Sequence, residues 1–269
     1  MIKMMGIKNT NPEVSIITPA YNVEDYIEET ISSVLQQTFE SWEHIIVDDC
    51  STDQTAAVVK GWREKDSRIR LIESDTNKGP GLTRNTALTV ASGRYIAFLD
   101  ADDAWYPLKL EKQIEYMKQT GSYFSFTSYE IIEGNEESKG RIVEAPLAVT
   151  YPDLLKNTNI GCLTVVVDRN VVGVISMPDI PTRQPLVLWL QLLRQFGPAK
   201  GINEVLARYR IRNNSVSSNK VKAAKGVWHV YREYEHLSLP LCLWFFCNYA
   251  LNGFRRNAGI SRGVKKQKL

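Results

Sequence analysis

Histidine, cysteine and net charge are all scarce in this sequence. Its 269 residues include three histidines and four cysteines, and lysine plus arginine outnumber aspartate plus glutamate by only 33 to 30. The spacing of His44, His229 and His236 matches no metal triad and no obvious nucleophile, which leaves a hydrolase poorly supported. The cysteine spacing fits neither a zinc ribbon nor a redox pair. The small net charge gives no case for a nucleic-acid binder.

Nucleotide-binding fingerprints and targeting segments are also missing. No Gly-x-Gly-x-x-Gly follows the first apolar segment and the chain has no P-loop, so dinucleotide binding and ATP cleavage lose their usual signatures. Residues 1–12 lack the apolar stretch of a signal peptide. The apolar segment 237–251 contains Pro240 and Asn248 and falls short of the ~20 apolar residues that a spanning helix needs. The sequence therefore predicts a cytoplasmic protein without a membrane span.

Short apolar segments alternate with amphipathic ones in the first half of the chain. The apolar segments, which predict strands, are 14–18, 45–47, 69–72 and 95–99. The amphipathic segments, which predict helices, are 24–37, 53–65 and 81–92. Later segments predict strands at 123–132 and 163–168 and a helix at 186–196. The pattern indicates an α/β fold with a mostly parallel central sheet and helices on both faces. Ligands of such sheets bind beyond the carboxyl ends of the strands.

Three carboxylates, Asp100, Asp102 and Asp103, follow the strand that ends at Leu99. Unpaired carboxylates at such a position repel one another and lose hydration unless a cation joins them. Mg²⁺ or Mn²⁺ suits this cluster, since such ions are held by one or two carboxylates together with substrate phosphates. The metal would stabilise a departing diphosphate. The alternative is an acidic loop that only caps the helix beginning near Pro107.

Two further strand ends carry residues suited to a nucleotide. Asp49 lies at a strand edge, where its carboxylate can accept the imide N–H of a uracil ring, and Tyr21 ends the first strand, where it can stack on that ring. Asp53 is expected to be structural, because Ser51, Thr52 or Asp53 is a good N-cap for the following helix. Segment 77–85 predicts a glycine turn that opens a helix, whose N-terminus attracts anions and whose Arg84 can reach the nucleotide or phosphate.

Together these segments resemble family 2 of the inverting glycosyltransferases with the GT-A fold, a Rossmann-like α/β fold. The resemblance covers nearly the whole chain and is carried by five motifs in order: 14–22, 33–39, 48–53, 79–85 and 100–103. The later segments 209–210 and 214–220 are similar to bacterial enzymes that assemble teichuronic acid, capsule or other envelope polysaccharide. A nucleotidyltransferase is the weaker alternative, because it would need a glycine-rich, basic loop that residues 18–22 do not supply.

The resemblance implies transfer of a sugar from a UDP-sugar to an acceptor glycan or lipid-linked saccharide, with inversion at the anomeric carbon. It implies that residues 1–120 bind the nucleotide-sugar and that residues 121–220 bind the acceptor within the same domain. Residues 221–269 would form a C-terminal helical extension with a basic tail.

The resemblance also assigns roles to individual residues. Pro19, Tyr21, Asp49 and Arg84 belong to the donor site, where the last three contact the uridine. Asp100 and Asp102 form the D-x-D pair, and Asp102 is the direct ligand of Mn²⁺ or Mg²⁺.

Four cations near the C-terminal end of the acceptor part have an implied role at the diphosphate. The resemblance places them in a mobile segment, where one of them can close over the leaving group: Arg208, Arg210, Arg212 and Lys220. The alternative is a solvated basic strand and loop.

One residue departs from the pattern of the resembled family. An inverting transfer needs a carboxylate to take the proton of the acceptor hydroxyl, and in the envelope-polysaccharide group this is an Asp between Arg-Gln and Leu-Trp-Leu. In segment 183–190 that position is Pro185, which cannot accept a proton but suits the first turn of a helix. Three explanations stay open: Asp179 serves as substitute base, the protein is a slow or inactive nucleotide-sugar binder, or Pro185 is a natural or introduced lesion.

The C-terminal end combines an apolar segment with a basic tail. From Arg255 to Leu269 the chain has six cations and no acid. Residues 237–269 therefore predict an interfacial helix that rests on anionic lipid at the inner face of the plasma membrane. The alternative is a hydrophobic helix packed on the catalytic lobe.

Overall fold

The computed structural model describes residues 11–133, 140–158, 160–211 and 220–257, which form one sheet with helices on both faces. The strands are β1 (Val14–Ala20), β2 (Trp42–Asp48), β3 (Ile69–Glu73), β4 (Tyr95–Phe98), β5 (Ala104–Trp105), β6 (Phe124–Glu133), β7 (Arg141–Val143), β8 (Ala148–Val149), β9 (Val166–Asp168) and β10 (Ala199–Ile211). The helices are α1 (Ile27–Leu35), α2 (Thr55–Lys65), α3 (Gly79–Val90), α4 (Lys109–Thr120), α5 (Tyr151–Lys156), α6 (Arg169–Val172), α7 (Gln184–Phe196), α8 (Lys220–His229) and α9 (Leu239–Asn257). A short 3-10 turn spans Cys162–Thr164 and a π-helical turn spans Val230–Tyr234.

The sheet has a parallel half and a mixed half. Its order is β3-β2-β1-β4-β9-β6-β10-β5, with β7 added to β6 and β8 to β10. Strands β1 to β4 pair in parallel, and a helix joins each to the next along the chain, as parallel pairing requires. β9 is antiparallel to both β4 and β6, whereas β10 is parallel to β6. The predicted α/β fold is confirmed, and its parallel character lies mainly in the first four strands.

Both faces of the parallel half are covered by core side chains. Ile17 of β1 and Phe98 of β4 belong to a cluster on one face, where the ring of Trp189 from α7 lies 5.5 Å from that of Phe98. Ile16 and Ala97, the neighbours of those residues, belong to a second cluster with side chains of α4. Strands buried on both faces need apolar residues at successive positions. That requirement explains why the first four strands were visible as apolar segments.

Two helices begin earlier than their hydrophobic pattern indicates. α3 begins at Gly79, which takes a φ of +79° that an ordinary residue rarely adopts. α7 begins at Gln184, and Pro185 occupies its first turn, where a fixed φ suits a helix and no amide donor is missed. Both early starts lie at the edge of the sheet where strands β1, β2 and β4 end.

The C-terminal extension is packed on the rest of the fold by its inner side. The Tyr231 hydroxyl donates to the carbonyl of Leu155, and the buried carboxylate of Glu235 accepts from the Tyr151 hydroxyl at 2.5 Å and pairs with Arg194. These contacts join the π-helical turn to α5 and α7. The predicted helical extension is therefore confirmed, and packing on the catalytic lobe is correct for this side. No helix in the described ranges is long and apolar enough to span a bilayer.

Candidate active site

The loops that follow β1 and β2 are joined by hydrogen bonds. The Asn22 side-chain oxygen accepts from the Thr52 amide at 2.9 Å, and the Asn22 amide donates to the Ser51 hydroxyl at 3.0 Å. Asn22 and Cys50 both have positive φ, at 48° and 64°, so each loop turns sharply where it meets the other. The side chain of Tyr21, which directly precedes Asn22, is 47% exposed. Its aromatic ring is therefore available at the site where the sequence predicts stacking on a base.

Asp53 has the structural role that the sequence predicts. One of its carboxylate oxygens accepts from the Thr55 amide at 2.9 Å, and the other accepts from the Glu24 amide at 3.1 Å. Burial alone would raise the pKa of Asp53, but these hydrogen bonds hold it below its ordinary value. The carboxylate thus fixes the start of α2 against the loop after β1.

Asp49 holds the glycine turn at the start of α3. Its side chain is buried, and its two oxygens accept from the backbone amides of Lys78 at 2.9 Å and Gly79 at 2.8 Å. A carboxylate oxygen has two lone pairs, so each can accept a further donor. The structure thereby adds a positioning role to Asp49, and its contact with a uracil N–H stays a prediction.

Arg84 is buried beside the acidic cluster. Its guanidinium pairs with the carboxylate of Asp100 and donates to the carbonyl of Pro80 at 3.3 Å. Burial by itself lowers the pKa of Arg84, but the negative charge of Asp100 and, more weakly, that of Asp102 raise it above its ordinary value. The predicted donor-site cation is therefore a fixed positive charge beside the D-x-D segment.

The three carboxylates of the acidic cluster differ in burial. Asp100 and Asp102 are partly exposed, whereas Asp103 is buried and accepts from the Arg210 amide at 2.9 Å. Its second oxygen has no hydrogen-bond partner among the described residues. Burial, followed by the charges of Asp102 and Asp100, raises the pKa of Asp103 well above its usual range. This segment is also held from α1, because the Thr30 hydroxyl donates to the Asp103 carbonyl at 2.8 Å.

The acidic cluster has the chemistry of a shared metal site. Among the described residues, no group of three or more His, Cys, Asp or Glu is placed to hold a metal ion. Mg²⁺ and Mn²⁺ need no such cage when substrate phosphates and water complete their shell. Asp100 and Asp102 offer hard oxygen ligands at partly exposed positions, and the second carboxylate oxygen of the buried Asp103 beside them has no hydrogen-bond partner among the described residues. The residues fit a divalent cation that arrives with a diphosphate.

Arg210 occupies a different environment from the one the resemblance implies. It lies in β10 with a side chain only 4% exposed, and its guanidinium pairs with Glu29 at 2.5 Å and donates to the Asp102 carbonyl at 3.1 Å. These contacts fit neither a mobile nor a solvated position, so both expectations for Arg210 are corrected. A buried guanidinium is held in place by paired charges and carbonyls. Arg208 also pairs with Glu29, at 3.1 Å. Arg212 and the side chain of Lys220 lie outside the described residues.

A cleft lies between the start of α3 and the segment that leads into α7. Its volume is about 330 Å³, and its walls include Lys78, Gly79, Asp179 and Gln184. Asp179 is exposed, and Pro185 follows in the first turn of α7. The structure thus brings the candidate substitute base to the same cleft as the glycine turn that Asp49 holds.

Glu29 and Asn22 are site residues that the sequence patterns did not single out. Glu29 looks like an ordinary exposed acid of an amphipathic helix, and only the strand β10, far away in the chain, makes it a partner of Arg210. Asn22 lies within the first motif, but its hydrogen bonds to the second motif depend on the pairing of β1 with β2. A polar residue that tolerates positive φ was the one available signal for Asn22.

The chain belongs to glycosyl transferase family 2, whose model matches residues 15–166. It is 50% identical over 248 residues to TuaG of Bacillus subtilis (strain 168), a protein assigned to teichuronic acid biosynthesis as a glycosyltransferase, covering 92% of this chain and 98% of the relative. It is 41% identical over 255 residues to the Escherichia coli UDP-Glc:alpha-D-GlcNAc-diphosphoundecaprenol beta-1,3-glucosyltransferase WfgD, covering 94% and 98%. The protein is therefore a glycosyltransferase.

Solved structures share the fold at low sequence identity. S. aureus TarS 1-349 in complex with UDP-GlcNAc has a TM-score of 0.66 and 21% identity, covering 93% of this chain and 74% of that one. The mannosyltransferase PcManGT from Pyrobaculum calidifontis, in complex with GDP-Man and Mn²⁺, has a TM-score of 0.65 and 16% identity, covering 94% and 77%. The predicted GT-A fold is confirmed.

Proposed function

We propose that this glycosyltransferase moves a sugar from a UDP-sugar to a lipid-linked saccharide in the synthesis of a bacterial envelope polysaccharide, with inversion at the anomeric carbon. The observation that carries the proposal is the convergence of Tyr21, Asp49 and the Arg84–Asp100 pair at one edge of the sheet. The similarity to WfgD, which is named for a UDP-Glc donor and a diphosphoundecaprenol acceptor, supports the choice of substrates.

The donor site is built by residues from the first 120 positions. Tyr21 stacks on the uracil beside Pro19, and Asp49 accepts the uracil N–H while it holds the turn at Gly79. The N-terminus of α3 and the charge of Arg84 favour the diphosphate. Asp100 and Asp102 would hold Mn²⁺ or Mg²⁺, which supplies positive charge to the leaving diphosphate when bound. Arg210 supports this site indirectly, through its hydrogen bond to the D-x-D segment. Lys220 remains a candidate contact of the diphosphate.

The acceptor is bound by residues 121–220 and loses its proton in the cleft beside α7. As the acceptor oxygen bonds to the anomeric carbon, the bond from that carbon to the diphosphate breaks and the hydroxyl proton passes to a carboxylate. Pro185 cannot take it, so we assign this role to Asp179, which lines the same cleft. If Asp179 does not serve, the protein is a nucleotide-sugar binder with weak turnover, because loss of a general base lowers the rate by about 10² to 10⁴. A natural or introduced lesion at Pro185 would have the same consequence.

A lipid-linked acceptor requires the enzyme to work at a membrane. We propose that residues 237–269, with their apolar segment and basic tail, contact the anionic inner face of the plasma membrane. In this arrangement residues 221–269 hold the acceptor part of the same domain, residues 121–220, near the membrane.

The test is donor binding and UDP release with Mn²⁺ and a panel of UDP-sugars, measured for the wild-type protein, Asp179→Asn and Pro185→Asp. Lipid-linked and water-soluble saccharides serve as acceptors. We expect UDP binding in all three proteins and release that Asp179→Asn lowers by about 10² or more. Transfer at ordinary enzyme rates that is indifferent to Asp179→Asn would refute the substitute base. Binding without release that Pro185→Asp restores would identify a disabled transferase, and no binding of any UDP-sugar would refute the donor.

A further inference from the structure

The outer side of α9 is apolar and exposed over most of its length. Leu243, Trp244, Leu251 and Phe254 are 55%, 60%, 57% and 73% exposed. At 100° per residue these four side chains fall within one arc of about 100° around the helix, so they form a continuous band, here called the α9 stripe. The opposite side of the helix, which includes the buried Cys242, packs on the core. α9 therefore has two apolar sides, and the described part of the fold covers only one.

A groove with cationic groups borders the α9 stripe. It has a volume of about 820 Å³ and lies between α8 and α9. Trp228 and Phe246 form its aromatic wall, with ring centroids 5.4 Å apart. Lys225 and Arg232 also line the groove, as do His229 and the single acid Glu233. At 100° per residue, Phe246 sits on the flank of α9 next to Leu243, so the groove and the stripe form one surface.

The positive charge of the groove and of the segment that follows α9 in sequence indicates which partner fits this surface. The segment that follows the stripe, Arg255 to Leu269, carries six cations and no acid. That segment has few apolar residues, so it is a poor cover for the stripe. Exposed Trp, Phe and Leu next to lysine and arginine match the boundary between acyl chains and anionic headgroups.

We infer that the α9 stripe and the α8–α9 groove dock the enzyme on an anionic lipid bilayer, with the stripe at the acyl boundary and Lys225 and Arg232 at the headgroup phosphates. This inference deepens the proposed function and rests on it for the benefit to catalysis. Gly226 of α8 lies against the segment that leads into α7, next to the cleft, since a Cβ on Gly226 would lie 2.9 Å from the Thr182 hydroxyl oxygen. Docking therefore brings the cleft beside α7 to about one helix diameter, on the order of 10 Å, from the lipid surface.

The experiment is sedimentation of the full-length protein with vesicles, without donor or metal. Vesicles of phosphatidylcholine alone are compared with vesicles that contain one third phosphatidylglycerol. The variants are Trp244→Glu in the stripe, Lys225→Glu in the groove and a truncation before Arg255. The matched control is Val174→Glu, because Val174 is an apolar residue that is 96% exposed on another part of the fold. Circular dichroism checks that each variant is folded.

We expect binding to anionic vesicles that Trp244→Glu lowers about tenfold or more, that the charge reversal Lys225→Glu lowers severalfold, and that Val174→Glu leaves unchanged. Each tail cation contributes about fivefold, so the truncation lowers binding further. Equal binding by Trp244→Glu and Val174→Glu would overturn the proposal, as would a dimer in analytical ultracentrifugation that Trp244→Glu abolishes without any vesicle binding. Sugar transfer without vesicle binding would refute docking and leave the function standing, whereas vesicle binding without transfer would do the reverse.

Discussion

Arg210 offers the sharpest test of how the acidic segment is held, because a buried brace and a mobile cation predict different results for one substitution. In the structure its guanidinium joins Glu29 of α1 to the carbonyl of Asp102. The change Arg210→Met keeps most of the buried volume and removes these bonds. The matched control is Arg208→Met: Arg208 pairs with the same Glu29 from the same strand, but its side chain is 33% exposed and its guanidinium lies over the ring of Tyr106 rather than against the D-x-D segment.

The expected loss of stability follows from burial. Hydrogen bonds to charged groups contribute about 1.5 to 3 kcal/mol each. Because Glu29 is 42% exposed and regains water when Arg210 is removed, most of that contact is discounted for solvent screening. We expect Arg210→Met to lower the free energy of unfolding by about 2 kcal/mol, which corresponds to about 3 to 4 °C in Tm for a chain of this size. Arg208→Met should cost less than about 1 kcal/mol.

The ligand measurement distinguishes the two roles. Groups that orient metal ligands typically change metal affinity by about 10- to 100-fold when removed. If Arg210 is a buried brace, Arg210→Met weakens Mn²⁺ binding in the presence of UDP by about tenfold, as measured by calorimetry, and also lowers Tm. If Arg210→Met leaves Tm and Mn²⁺ affinity unchanged and weakens only UDP binding, the brace is wrong and Arg210 contacts the diphosphate directly.

Three further substitutions test other parts of the site and its support. Asp49→Asn places an amide donor against the Lys78 and Gly79 amides, so it should cost about 1 to 3 kcal/mol in chemical denaturation and weaken UDP binding; unchanged stability would contradict the holding role. Gly79→Ala meets no neighbour but must adopt a φ of +79°, so a loss of about 1 kcal/mol is expected, and a gain would contradict the conformational argument. Burial lowers the pKa of His44 to about 3, against 6.5 for the ordinary group. The contribution of neutral His44 to the free energy of unfolding is therefore complete above pH 6.5 and falls by about 1.4 kcal/mol per pH unit below it. His44→Gln should flatten urea unfolding free energies between pH 6.5 and 4, and an unaltered slope would exclude this group.

The first half of the fold could be predicted from the sequence because its rules are local. Buried parallel strands leave apolar segments, and the residues just beyond Ala20, Asp48 and Leu99 are brought together by the way parallel sheets place their carboxyl ends. Tyr21 and Asp49 were therefore found as candidates without any knowledge of their contacts.

The support of the site could not be predicted in the same way. Arg210 meets Glu29 across 181 positions, and this pair depends on β10 returning beside β5 at the edge of the sheet. Strands β5 and β8 have only two residues each, too few for a pattern of alternating hydrophobicity. The charge pairs that depend on them are consequences of tertiary structure, so the basic segment around Arg210 suggested a solvated loop.

The ion pair between Arg84 and Asp100 has a consequence for how the protein folds before the proposed divalent ion binds. Arg84 is a cation of the chain itself and already offsets part of the negative charge beside Asp102 and Asp103. The protein can therefore fold before a divalent ion binds. The proposed ion can then enter and leave with each donor molecule and need not be a permanent part of the enzyme. Under the proposed metal dependence, a cell whose free manganese fluctuates would keep a constant pool of folded enzyme while the activity followed the metal.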